Sequence, residues 1–179
     1  MIQRILFFTI ILLSWAMGVD AQESNRLVDW PTVSPPSSAK VLEIIRITVK
    51  DTSVTPGQYF VAADDWLDKL TFRIQNVSDK TITRCGFGIG FPELNPGGEG
   101  EGMPGFSVVY DTLRNPGKLQ PLPPEAVVEV SLPADQLKII QQAAIRILGS
   151  SHLTRIKILP GLVTFADGSG IGGFSLRKN

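Results

Sequence analysis

The chain is predicted to be mainly β, an antiparallel sandwich of about seven strands with one helix near its C-terminal third. Three observations carry that prediction. Short runs of alternating apolar and polar residues recur along the chain, punctuated by proline and glycine turns. No regular alternation of strands with helices, which a parallel sheet requires, runs through it. One segment, between Pro133 and Gly149, has apolar residues at helical spacing.

Residues 1–21 are predicted to be an export signal. Arg4 supplies a positive start, Ile5 to Leu13 is apolar except for Thr9, and Val19 and Ala21 give the small-residue spacing of a cleavage site. Polar or small residues interrupt the run from Ser14 onward, so it falls short of the roughly twenty apolar residues of a membrane span. Cleavage leaves no transmembrane segment, and no cysteine near the junction is placed to take a lipid. Residues 22–39 carry Pro31, Pro35 and Pro36 without apolar periodicity, which predicts a flexible lead. Residues 40–179 are then the β-sandwich domain.

Within that domain the first strand is expected where Val41, Ile45, Ile47 and Val49 alternate with Arg46, Thr48 and Lys50. Leu70, Phe72 and Ile74 give the second. Turn residues Asn76 to Asp79 join it to a third, Thr81 to Phe91, and the two read as a hairpin. In the third strand Gly86, Gly88 and Gly90 fall opposite Cys85, Phe87, Ile89 and Phe91, a bare face that lets another backbone or a ring approach closely. Residues 92–105 hold five glycines and three prolines, which excludes a helix or a central strand. Phe106 to Tyr110 and the alternation from Ala126 to Leu132 add strands.

The helix is placed by Leu137, Ile140, Ala144 and Ile147 or Leu148, with Pro133 at its start and Gly149 as its cap. Asp135 in the first turn and Arg146 in the last suit its dipole. Extended structure resumes over Leu153 to Ile158 and Leu162 to Phe165, broken by Pro160-Gly161. A final strand, Gly172 to Leu176, follows the turn at Asp167 to Gly170.

Charge and cysteine content narrow the function classes. Seventeen basic residues balance seventeen acidic ones. With no basic excess, the electrostatic footprint of a nucleic-acid binder is missing, as is a polybasic membrane signal. Cys85 is the single cysteine, so no internal disulfide can form. Its place between Thr83 and Phe87 reads as a small buried apolar residue.

The segments Phe72 to Ile82, Leu122-Pro123-Pro124-Glu125 and Val163 to Ser169 carry a resemblance to immunoglobulin-like β-sandwich modules of uncharacterised secreted bacterial proteins. The resemblance spans roughly residues 40–177. It implies a fold and brings no catalytic residue with it.

Candidate chemistry is sparse. His152 is the one histidine, which excludes a multi-histidine metal site, and it lies in the link after the helix. Gly168 to Gly173 satisfies Gly-x-Gly-x-x-Gly, but the helix that would hold a pyrophosphate does not follow, so the match reads as a turn. Asn76-Val77-Ser78 is a glycosylation sequon whose simpler role is the turn. Glu99 and Glu101 read as a catalytic carboxylate pair, as calcium ligands, or as a solvated loop. Asp64, Asp65 and Asp68 share that ambiguity.

The expected contact site combines the loops at 56–68 and 92–105: Tyr59, Asp64, Asp65, Trp66, Glu99 and Glu101, with Met103 beside them. Aromatic faces beside carboxylates suit a sugar or, with the acids alone, calcium. The competing reading puts Tyr59 and Trp66 in the core. The expectation is therefore a secreted or periplasmic, non-enzymatic binding or structural module without a cofactor, partnered by an envelope protein or polysaccharide. The alternatives are an extracytoplasmic hydrolase of polysaccharide or peptide, and a subunit of an envelope assembly.

Overall fold

Alternation of buried and exposed side chains sorts ten strands into two sheets in a computed structural model of the chain, which describes residues 23–30, 40–95, 103–114 and 117–174. In chain order the strands are β1 (Ser24–Asp29), β2 (Leu42–Val49), β3 (Thr52–Ser53), β4 (Tyr59–Ala62), β5 (Leu70–Asn76), β6 (Ile82–Gly90), β7 (Gly105–Asp111) and β8 (Val127–Ser131). The helix α1 (Ala134–Leu148) precedes β9 (Arg155–Phe165) and β10 (Gly170–Phe174). The larger sheet runs β4-β1-β9-β6-β7, with β10 also on β9; the smaller runs β3-β2-β5-β8. Their inner faces share one core, and the Phe72 and Phe87 rings meet across it edge to face at 5.0 Å.

The mainly β composition, the two sheets and the single helix follow the expectation, while the pairing departs from it in four places. Residues 22–39 were expected to be a flexible lead, yet β1 is an internal strand of the larger sheet with Arg26, Leu27 and Val28 buried. It pairs parallel to β9, so this sheet is mixed rather than wholly antiparallel. Two apolar residues in six give no periodicity, so nothing local announces the strand. The expected export signal at 1–21 and residues 31–39 lie outside the described residues.

The expected hairpin of Phe72 and Phe87 strands does not form, because β5 pairs with β2 and β8 in one sheet and β6 with β7 and β9 in the other. Asn76 turns the corner between sheets: its amide donates to the Lys80 and Leu122 carbonyls at 2.8 and 2.9 Å, and its Oδ1 accepts from Ser78.

β2 carries a bulge. Ile44 pairs with Ile74 but Arg46, not Ile45, pairs with Arg73, so Ile45 is exposed while Ile44, Ile47 and Val49 are buried. The same device keeps β9 continuous through Pro160-Gly161, where an interrupted strand was expected. The register slips between Gly86 and Gly88, so Pro160, which lacks an N–H, is asked for no ladder bond.

The helix closes one end of the sandwich, burying Leu137, Ile140 and Ala144 against the short 3-10 turns Trp66–Lys69 and Pro92–Leu94. Gly149 terminates it at φ 74°, with its N–H on the Ile145 carbonyl. Ile147 and Leu148 stay exposed.

Candidate functional site

At the end of β4 the chain turns through Asp64 and Asp65 into the Trp66–Lys69 turn, so the expected contact residues of this loop start from neighbouring positions. The pleat then separates them. Tyr59 and Phe60 point to opposite faces of β4. Phe60 packs on the Trp66 ring at 5.5 Å, and Tyr59 stands in solvent, 73% exposed. Trp66 itself is 1% exposed, and its indole N–H donates to the Leu153 carbonyl at 2.8 Å. That corrects its assignment as a contact residue, since neither ring face is open to a sugar.

Asp64 is committed to protein partners. Its Oδ1 lies 2.5 Å from Nη2 of Arg26, whose side chain is wholly buried, and its Oδ2 lies 2.7 Å from Nδ1 of His152. Arg26 Nη1 donates to the same Leu153 carbonyl that receives the Trp66 indole, at 3.2 Å. Desolvation pushes the Asp64 carboxyl up, but hydrogen bonds from His152 and Arg26, together with their charges, outweigh it and hold the group below its ordinary value. With Nδ1 engaged, Nε2 of His152 is the ring nitrogen left to act on anything outside, an orientation a general base uses. Among the described residues no hydroxyl or thiol is hydrogen-bonded to it; the Ser150 hydroxyl accepts the His152 backbone N–H instead.

Asp65 makes an exposed ion pair with Lys69 at 3.9 Å, a contact that contributes little. Glu99 and Glu101 lie outside the described residues. Met103 lies over Gly90, where a Cβ would collide with its thioether. The loops therefore yield one exposed ring, Tyr59, and a carboxylate held inside an ion-pair network. Among the described residues no group of three or more His, Cys, Asp or Glu is placed to hold a metal, and no helix is long and apolar enough to cross a membrane.

The glycine face of β6 forms a more open feature. A groove of about 340 Å³ runs over Gly86 and Gly88, between β7 and the Pro160-Gly161 bulge of β9, with Gly172 of β10 at its far wall. Val109 and Leu162 rise beside it, 43% and 44% exposed, and its polar side chains are Arg84 and Ser107. Arg84 is turned to Asp111, Nε to Oδ2 at 3.4 Å. The floor cannot be filled: a Cβ at Gly86 would sit 2.5 Å from the Val108 carbonyl oxygen, and one at Gly88 3.0 Å from Leu159 Cβ. At Gly172 a Cβ meets nothing within 4 Å.

Sequence reading identified the bare glycine face but not its walls, which come from three other strands. It also missed Arg26 and left His152 simply in the link after the helix; no local signal ties either to Asp64. Glu93 was missed as well: its carboxylate accepts both the backbone N–H and the hydroxyl of Thr154, fastening the Pro92–Leu94 turn to β9's approach. Comparison of the chain with protein-family models, with curated proteins and with solved structures finds no match.

Proposed function

We propose that the chain is an exported, non-enzymatic β-sandwich of immunoglobulin-like type, secreted or periplasmic, that grips an extended apolar segment of a partner envelope protein in the groove over β6. The observation that carries this reading is the pair of exposed aliphatic walls, Val109 and Leu162, above a floor of glycines. Exposed apolar surface arranged around a concavity marks an interaction site more often than it serves the fold. A glycine floor admits a chain in extended form, because backbone can approach backbone. The lining is poor in the hydroxyl and amide partners that a sugar would need. Export is supported by the Arg4 start, the apolar run and the Val19-x-Ala21 ending.

Gly172→Trp tests the groove without disturbing the core, since the new side chain enters open space. The variant should melt with the wild type yet lose the protein partner recovered from the native envelope. Recovery of the same partner in equal amount would refute the groove as its seat.

A further inference from the structure

The outward face of the four-stranded sheet carries an arrangement that folding alone does not ask for. The bulge at Ile45 keeps Ile47 and Val49 inward, and in doing so sets Arg46 directly opposite Arg73 on the neighbouring strand. Opposed residues in an antiparallel pair hold their Cβ atoms about 5 Å apart, and like charges there destabilise the sheet. Both side chains are exposed, and neither forms an ion pair among the described residues. Glu129 on β8 pairs in register with Arg73, yet no ion pair joins them either. Bulges of this kind re-aim side chains and recur beside functional sites.

The adjoining rows carry hydroxyls on one side and a carboxylate, an amide and a valine on the other. Thr48, Thr71 and Ser131 lie one pleat away on one side, with the two threonine hydroxyls 2.6 Å apart; Glu43, Gln75 and the exposed Val127 lie on the other, where the Gln75 amide donates to the Glu125 carboxylate at 2.8 Å. Each row stands about 7 Å along the strand from the arginine row. Two neighbouring guanidinium forks match a carboxylate bidentately. The flanking hydroxyls and the Glu43 and Glu129 carboxylates match sugar hydroxyls. Glu43 and Glu129 would repel a continuous anionic surface such as a lipid headgroup layer, whereas they accept hydroxyl protons from an anion spaced by neutral groups.

We infer that this face binds an acidic polysaccharide, with a uronic carboxylate held between Arg46 and Arg73 and the ring hydroxyls taken by the adjoining rows. The site is separate from the groove over β6, which belongs to the opposite sheet.

Polygalacturonate is the direct probe, with dextran as the neutral control and dextran sulfate as the test of charge alone. The wild type should bind polygalacturonate and leave dextran unbound. Arg46→Gln and Arg73→Gln should each weaken binding at least about tenfold, because each removes a charge-assisted pair of hydrogen bonds. Arg73→Lys should weaken it too, since the charge stays and the fork goes. All three should melt no lower than the wild type, because they reduce or leave unchanged a like-charge contact. Gly172→Trp should bind polygalacturonate normally. Absence of polygalacturonate binding, binding indifferent to Arg46→Gln and Arg73→Gln, full binding by Arg73→Lys, or equally tight binding of dextran sulfate would overturn the assignment.

Discussion

Replacing Asp64 by asparagine asks whether this carboxylate belongs to the fold or to a ligand. Its partner Arg26 has a side-chain exposure of 0%, while Asp64 keeps 31%. Removing one member of a buried ion pair costs about 3–5 kcal/mol, chiefly because the survivor is left charged and desolvated. Here the asparagine side chain still stands beside Arg26, water reaches it, and Arg26 keeps its bond to the Leu153 carbonyl. A loss of about 1.5–3 kcal/mol is therefore expected, a large fraction of the ~5–15 kcal/mol that holds a domain together. Arg26→Met should cost less, since it removes the buried charge itself and leaves Asp64 partly in water.

Urea unfolding at pH 7 measures both, read as midpoint shifts at unchanged slope. Acid supplies the second arm. The folded carboxyl lies below its ordinary value, so its stabilisation is complete above the unfolded value of about 4 and is lost as the pH falls through the lower folded one. The gap between wild type and Asp64→Asn should shrink as the pH falls below about 4. An asparagine variant within about 0.5 kcal/mol of wild type throughout, or an Arg26→Met variant less stable than Asp64→Asn, would refute the structural reading of this pair.

Two further outcomes are expected. Burial pushes the Cys85 thiol up to about 12, so a thiol reagent at pH 8 should label the native protein slowly and the denatured protein at once; rapid native labelling would contradict its place in the core. Terminal sequencing of the protein from its native host should begin at Gln22, and recovery of an uncleaved chain from the membrane fraction would contradict export.

What was legible in the sequence is what depends on near neighbours. Leu70, Phe72 and Ile74 alternate and are buried, and Leu137, Ile140 and Ala144 recur at helical spacing and are buried, because one element's own period decides which face is apolar. What was not legible depends on distant partners. The turn residues Asn76 to Asp79 serve a hairpin or a crossing between sheets equally well, and the choice is made where β5 finds β2 and β6 finds β9. β1 needs β9, more than a hundred residues later, to be a strand at all. Strict alternation put Ile45 in the core; the bulge that expels it exists because Ile44, Ile47 and Val49 all face inward.

The site divides the same way. A tryptophan beside two aspartates fits a sugar platform or a core anchor, and the Leu153 carbonyl, 87 residues away, settles Trp66 as the latter. The glycines of β6 announce a bare face from their spacing alone. Val109, Leu162 and Gly172 turn it into a groove only when β7, β9 and β10 have taken their places around it.

Site-specific photo-crosslinking in the native host tests that groove most directly. A photoreactive residue at Val109 or at Leu162 should link to the same protein partner, and one at Val61, exposed on β4 away from the groove, should not. Gly172→Trp should abolish both links. Equal crosslinking from Val61, or links from Val109 and Leu162 that survive Gly172→Trp, would contradict the account.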